Sequence, residues 1–407
     1  MNYKKAVLIV ILATVFFALL VGVLYYFAIQ NSSVISEVSD TQGGVSTYTE
    51  YTDVQNQNPK GDAEVDSEIE EEKVSVKEIE DIENGVIATT TSVQTGGLIY
   101  APGLTSLSSS TYIVAFVGDI GINSDSRKVL SLVKQEASAS VILGDFDYAD
   151  RPDLWSKMLD EQLGRTFPLI MLIGNHDEKK WSEYLADIKS RLARTPAVNC
   201  RGDIAVKSVC AYKDMRVVIT APGISSLQAS SSVYADYIET EGAKLDAKTW
   251  NLCAWHKNQR RMQVGTKADE AGWETYEACD ALGFPIMTAH EHSYSRSFLF
   301  SDVKKQELTR HESIALNANA GLKEAKTIDH LKLAAGKTFV MVSGLGGKSI
   351  RPQTRNDAWW SSIYTSTQGA KPGALFCAFN YKGDTKRALC YFKNIDGEVK
   401  DVFLMER

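Results

Sequence analysis

The chain has 407 residues, enough for one large domain with additional segments. Its formal net charge of -7 weighs against nucleic acid as the main partner. Hydrophobic residues make up 44%, ordinary for a globular protein, but they are unevenly distributed.

Lys4 and Lys5 precede a run from Ala6 to Ile29 that carries no charged residue. A helix needs about 20 apolar residues to span a bilayer, so this run reads as a transmembrane anchor. A cleavable signal peptide is the competing reading, but its apolar region is usually shorter, about 7–15 residues, and ends in a small-x-small site. Here Tyr25, Tyr26 and Phe27 close the run, and tyrosines suit a membrane interface. Lysines before the run and none after it until Lys60 place the N-terminus in the cytoplasm and the rest outside. Cleavage would make the protein secreted instead.

Residues 31–109 are rich in Ser, Thr, Gln, Asp and Glu, and Asp62 to Glu83 is strongly acidic. Too little apolar surface is present to offset the entropy of ordering, so a disordered linker is expected. Three segments follow: an anchor over 1–30, the linker over 31–109 and a folded domain over 110–407.

From Tyr112 short apolar runs alternate with helix-like segments. Strands are expected at Tyr112–Val117, Ser140–Leu143, Pro168–Ile173, Val217–Thr220, Leu252–Ala254 and Pro285–Thr288. Helices are expected at Asp125–Glu136, Pro152–Leu163, Lys179–Leu192, Tyr234–Leu245 and Ala268–Leu282. Such alternation predicts an α/β fold with ligands at the carboxyl ends of strands. Further strand-like runs at 337–343, 374–380, 387–393 and 400–404 suggest a second sheet packed on the first.

All six cysteines lie in the folded domain. Cys377 and Cys390 sit symmetrically about Gly383-Asp384, which reads as a hairpin turn that would bring them within bridging distance. Cys200 and Cys210 flank a second short loop segment and are open to the same reading. Six cysteines allow fifteen connectivities, and buried free thiols are the alternative. The absence of any Cys-x-x-Cys pair weighs against a structural zinc site.

Five short motifs stand where apolar runs give way to polar residues. They are Asp119-Ile120-Gly121, Gly144-Asp145-Phe146-Asp147-Tyr148, Gly174-Asn175-His176-Asp177, Ala254-Trp255-His256 and His290-Glu291-His292. Alone, a Gly-Asp after a strand is ordinarily a turn, while a His-x-His pair on a strand is metal-binding more often than chance, though surface pairs are common. Together and in order they supply seven ligand-type side chains, enough for two metal ions. Four of the six histidines fall inside the motifs, leaving His311 and His330 outside.

These motifs resemble the purple acid phosphatase branch of the calcineurin-like metallophosphoesterases. The resemblance is closest in GDFDYAD (144–150) and HEHSYSR (290–296), and covers Tyr112 to Arg296 with Val342-Ser343-Gly344-Leu345-Gly346-Gly347 beyond. It implies a four-layer αββα sandwich. It also implies one metal held by Asp119, Tyr148 and His292, a second held by Asn175, His256 and His290, and Asp145 bridging them. The two ions would be Fe(III) with Fe(II), Zn or Mn, because a Tyr148 phenolate favours ferric iron and gives the purple colour. A ferric–divalent pair carries five positive charges. Asp119, Asp145, ionised Tyr148 and one hydroxide supply four negative ones, leaving a net attraction for phosphate.

The activity implied is hydrolysis of phosphate monoesters by a metal-bound hydroxide, with two ions holding the attacking and leaving oxygens. His176 would stand beside the leaving group, positioning substrate or donating a proton. Asp177 would orient His176 or cap the helix near Glu178. Two departures bear on the substrate. Ala289 replaces the usual glycine before the His-x-His pair. After His256 the family often has Pro-Tyr and a further histidine about ten residues on, where this chain has Lys257-Asn258-Gln259-Arg260-Arg261 and then Thr266. Those basic residues either contact phosphate or form a solvated turn, and Trp250, Trp255, Trp273, Trp359 and Trp360 either line a pocket or fill the core. The expected substrate is a phosphorylated small molecule or surface group. A phosphodiesterase or nucleotide-cleaving enzyme on the same metals is the alternative, and a non-catalytic binding module a weaker one, since Asp145 and Asn175 are both present.

Overall fold

The computed structural model describes residues 108–316 and 326–407. The anchor reading, and nearly all of the linker reading, fall outside them. Among the described residues no helix is long and apolar enough to cross a membrane.

In chain order the strands and helices are β1 (Tyr112–Val117), α1 (Ser124–Glu136), β2 (Ala139–Ile142), α2 (Pro152–Gln162), β3 (Leu169–Met171) and α3 (Trp181–Arg194). The hairpin β4 (Val198–Asp203) and β5 (Lys207–Tyr212) leads into β6 (Met215–Ile219), α4 (Ser231–Gly242), β7 (Trp250–Ala254), α5 (Trp273–Leu282), β8 (Ile286–Thr288) and β9 (Tyr294–Ser297). A small ribbon of β10 (Phe300–Asp302) and β11 (Glu307–Leu308) precedes β12 (Ser313–Leu316), β13 (Lys326–Lys332), β14 (Val340–Ser343), β15 (Trp360–Tyr364), β16 (Gly373–Phe379), β17 (Arg387–Asn394) and β18 (Val399–Glu406). Local chemistry explains several boundaries. The Asn123 side chain accepts the Asp125 and Ser126 N–H groups at 2.9 Å each and starts α1. Gly283, at φ 70°, ends α5 in the left-handed conformation.

Two eight-stranded sheets result. The first runs β12-β13-β18-β17-β16-β1-β2-β3 and the second β15-β9-β14-β8-β7-β6-β5-β4. The period-two alternation of β1 shows why they stack. Tyr112, Val114 and Phe116 face Val217, Leu252, Met287 and Met341 of the second sheet in the central core. Ile113, Ala115 and Val117 face α1 and α2 through Val129, Val133, Trp155 and Leu159. On the far side, Val218, Cys253, Ile286 and Val340 pack against Ile238, Tyr276 and Cys279 of α4 and α5. The fold is a mixed α/β sandwich with helices outside both sheets.

The expectation that the C-terminal strands form a sheet of their own is corrected. β16 pairs antiparallel with β1, setting Cys377 opposite Val114, so β16–β18 extend the first sheet. β14 instead pairs parallel with β8 in the second sheet. That second sheet starts with the β4–β5 hairpin, whose half-exposed VNCRGD segment lacks an apolar alternation to reveal it. α5 begins five residues later than expected, because residues 256–272 form an irregular loop rather than a helical extension.

Both cross-strand cysteine pairs form disulfides: Cys377–Cys390 bridges β16 and β17, and Cys200–Cys210 bridges β4 and β5. A third, Cys253–Cys279, ties β7 to α5. Trp250, Trp255, Trp359 and Trp360 are buried in the cores, so these four fill the interior.

Candidate metal centre

The carboxyl ends of the parallel strands β1, β2 and β3 in one sheet and β7 and β8 in the other meet at one edge of the sandwich. The loops there hold each other through backbone hydrogen bonds. Asp119, Ile120 and Gly121 donate N–H to the carbonyls of Gly144, Asp145 and Phe146. Four of the candidate ligands have left-handed backbones: Asp119 (φ 56°), Asp145 (φ 55°), Tyr148 (φ 58°) and His290 (φ 69°). Such conformations are costly for non-glycine residues and persist where the surroundings over-determine them. Two glycines let the loops close. A Cβ on Gly174 would lie 2.2 Å from Asp145 Oδ1, and one on Gly344 would lie 2.6 Å from Asp119 Oδ2.

The turn carrying Tyr148 is shaped by Asp147, whose carboxylate accepts from the Ala149 and Arg151 N–H groups at 2.8 and 3.0 Å and from the Tyr184 hydroxyl at 2.6 Å. Tyr148 then donates its hydroxyl to Asp119 Oδ1 at 2.7 Å and lies 3.1 Å from His292 Nε2. His292 Nε2 is 3.4 Å from Asp119 Oδ1, and its Nδ1 meets the Ser349 hydroxyl at 2.5 Å. Asp119, Tyr148 and His292 thus form one cluster.

The second cluster centres on two imidazoles. His256 Nε2 and His290 Nδ1 face each other at 3.2 Å, and His256 Nε2 is 3.2 Å from Asp145 Oδ2. Ligand atoms of Asp145, His256 and His290 all lie within 4.8 Å of one another. The outer nitrogens are also engaged: His256 Nδ1 meets the Leu143 carbonyl at 2.7 Å, and His290 Nε2 meets Glu270 Oε2 at 2.6 Å. Asn175 adds a buried Oδ1 with no hydrogen-bond partner among the described residues.

An orphaned amide oxygen, converging imidazole nitrogens and buried carboxylates form a donor set that fits metal ions. Six of the expected ligands fall in these two clusters, Asn175 lies on the loop whose Gly174 and His176 contact Asp145, and Asp145 touches His256 and influences Tyr148.

The electrostatics follow from this crowding. Burial and then the Asp119 and Asp145 carboxylates push the Tyr148 phenol far above its ordinary range. Burial also favours the neutral form of His290 and, with His256 nearby, holds it down at about 4. His256 behaves oppositely: burial lowers it, but Asp145 and Asp119 raise it to about 9. Burial opposes the charge on Asp145, yet His256 and the His176 N–H hold its carboxyl well below the usual range.

His176 is exposed at the rim, with its ring centroid 4.4 Å from that of Tyr148, and its N–H donates to Asp145 Oδ1 at 2.9 Å. Asp177 plays neither expected role. It makes no helix-capping bond, and its carboxylate accepts from the Gly174, Asp145 and Phe146 N–H groups at 2.7, 2.9 and 2.8 Å. It braces the loop backbones because those donors point inward at the strand ends, whereas His176 turns outward. Of the basic turn, Arg260 and Arg261 are exposed, the latter over Trp359, while Lys257 binds Glu270 Oε1 at 2.7 Å. Glu270 and Ser349 carry no motif signal and are legible only in three dimensions.

A calcineurin-like phosphoesterase family model matches residues 112–294. No curated protein matches the sequence significantly. Among solved structures the chain is similar to purple acid phosphatase PPD1 from yellow lupin (Lupinus luteus) seeds, at TM-score 0.51 and 16% identity over 75% of this chain and 55% of that one. It is similar also to GAP50, described as the anchor in the inner membrane complex of Plasmodium, at TM-score 0.44 and 10% identity over 73% and 89% of the two chains. A third is TT1561 of Thermus thermophilus, at TM-score 0.39 and 9% identity over 70% and 100%. The chain spans about half the length of the lupin enzyme, and at this identity the likeness is one of fold. The ordered candidate loops, the family match and the sandwich agree: residues 112–294 form a calcineurin-like phosphoesterase domain, in a chain purple acid phosphatase-like in fold.

Proposed function

We propose that the protein hydrolyses phosphate monoesters at a dinuclear metal centre held by Asp119, Tyr148 and His292 on one side, Asn175, His256 and His290 on the other, and Asp145 between. The observation that carries this reading is the meeting of the two ligand clusters at Asp145, whose Oδ2 lies 3.2 Å from His256 Nε2. Two ions bound there would neutralise the phosphate charge and activate water near neutral pH. The chain's own contribution is positional. Asp177 fixes the loop backbones, Asp145 is oriented by the His176 N–H, and His176 stands at the open rim within reach of a leaving group. Ferric iron at the Tyr148 position is the reading its chemistry supports, because a phenol oxygen set against Asp119 and His292 offers a hard anionic donor that a highly charged ion favours. Three disulfides support an oxidising compartment, in keeping with an anchor at residues 6–29 and a domain outside the cytoplasm.

The test uses the full-length protein, purified after expression in an oxidising compartment and assayed for metal content and for turnover of p-nitrophenyl phosphate and bis(p-nitrophenyl) phosphate. Two ions per chain including one iron, with faster monoester turnover, is the expected result. Faster diester turnover would move the enzyme to the phosphodiesterase reading, and no turnover with either ester would overturn both. Asp145→Ala is expected to lose activity and metal together. Turnover retained in that variant would end the dinuclear mechanism.

A further inference from the structure

The two histidines that face each other are anchored differently. The outer nitrogen of His256 meets a backbone carbonyl, that of Leu143. The outer nitrogen of His290 meets a carboxylate, that of Glu270, at 2.6 Å. Carbonyl and carboxylate oxygens only accept, so each contact places an N–H on the outer nitrogen and turns the inner one, His256 Nε2 or His290 Nδ1, toward the ion position. An imidazole has only these two nitrogens. Because His290 Nδ1 already faces His256, Glu270 lies behind His290 and outside the ligand set.

Glu270 is also held from several directions. Its Oε1 accepts from Lys257 Nζ at 2.7 Å, and the two side chains are only 24% and 14% exposed. Its N–H donates to the Asn258 carbonyl at 3.1 Å, while the Asn258 side chain donates to the Ala289 carbonyl at 2.5 Å. The loop from His256 to Gly272 therefore folds back onto the residue preceding His290. This loop is the region where the chain departs from the family's usual pattern. His290 itself is constrained three ways, by its N–H on Asp119 Oδ2 at 2.8 Å, by His256 and by Glu270.

Resting on the dinuclear reading above, we propose that Glu270, held by Lys257, is a positioning residue that orients His290 and sets the affinity of the ion position served by His256, His290 and Asn175. Its carboxylate makes His290 a stronger donor than it would be against a neutral partner such as the carbonyl behind His256. Loss of Glu270 should weaken one ion position and spare the other. Partners of this kind behind metal-ligating histidines are typically worth about 10- to 100-fold in metal affinity.

Zinc is the probe. The full-length protein, Glu270→Ala, Glu270→Gln and Lys257→Met are equilibrated with zinc at chelator-buffered concentrations, then assayed for ions per chain and for thermal unfolding. Glu270→Ala is expected to retain one ion where the parent retains two, with affinity at the weaker position down about 10- to 100-fold, and to regain the second as free zinc rises. Glu270→Gln keeps an accepting oxygen without the charge and should fall between. Lys257→Met should show a smaller loss at the same position. Unchanged zinc affinities in a folded Glu270→Ala protein would overturn the proposal, as would equal weakening of both positions in the nearly isosteric Glu270→Gln. Zinc binding that follows the expected pattern in a protein that hydrolyses no phosphate ester would sink the phosphatase reading and leave this one standing.

Discussion

Arg296 grips Asp401 with two hydrogen bonds, Nε to Oδ2 at 2.7 Å and Nη2 to Oδ1 at 3.0 Å, across the interior of the sandwich. Arg296 lies on β9, directly after the His-x-His loop, and Asp401 lies on β18 of the opposite sheet. Nη2 also reaches Asp329 Oδ2 at 2.9 Å, and the guanidinium rests over the Phe403 ring at 4.3 Å. The fork-on-fork geometry suits a fully buried pair. Arg296→Met should cost about 3–5 kcal/mol, mostly because Asp401 is left buried without its counter-ion. Urea unfolding of Arg296→Met and of Arg296→Met/Asp401→Leu checks this, and the double variant should recover much of the loss. If the single variant is as stable as the parent, the clamp holds nothing together.

Asp329 ties the same network to pH. Burial raises its carboxyl pKa, but Arg296, Ser361 and His311 outweigh burial and hold it below the ordinary value of 3.8. A carboxyl with a depressed folded pKa contributes stability that is present above its unfolded pKa and lost as pH falls through the folded one. Stability should therefore decline below about pH 4, and Asp329→Asn should flatten that decline. Urea midpoints of the two proteins between about pH 6 and pH 2 measure it. Parallel curves would assign the acid sensitivity to other carboxyls.

Tyr148 joins the loops after β1 and β2 by donating to Asp119 at 2.7 Å. Tyr148→Phe removes a hydrogen bond to a carboxylate, expected to cost about 1.5–3 kcal/mol in the metal-free protein. It should also abolish visible absorption in the iron-loaded protein, since only a phenolate gives that colour. A variant that stays purple would show that Tyr148 does not bind iron.

His176 contributes its backbone N–H to Asp145 and its side chain to the open rim. His176→Ala should keep both ions and slow turnover about 100- to 10,000-fold, the usual worth of a positioned acid or base. Metal content beside kcat separates the cases. Loss of an ion would make His176 a ligand, and unchanged kcat would leave it no part in the reaction.

Much of the site is legible in the primary structure. Metal ions demand particular donor types, and strand ends are marked by a local change from apolar to polar residues, so the five motifs could be picked out, and their resemblance to a known family then named seven candidate ligands. The cross-strand disulfides Cys377–Cys390 and Cys200–Cys210 were readable for the same reason, since each pair is close along the chain. Local cues also located the strand–helix alternation between Tyr112 and Thr288.

Packing decided what local pattern leaves open. An apolar run in β16 is compatible with a second sheet, yet it lies beside β1, where it fills the hydrogen-bonding edge that β2 leaves open. Glu270 stands 20 residues from His290, and Arg296 stands 105 from Asp401, and no periodicity connects such partners. Asp177 looked equally suited to capping a helix or orienting His176, and only the inward N–H groups of Gly174, Asp145 and Phe146 show that it braces the loops. The sequence alone marked which side chains are candidates to hold metal and where the chain turns, because both depend on residue chemistry and near neighbours. Tertiary structure decided which residues stand behind those ligands, because burial forces each polar group to find whatever distant partner the fold places against it.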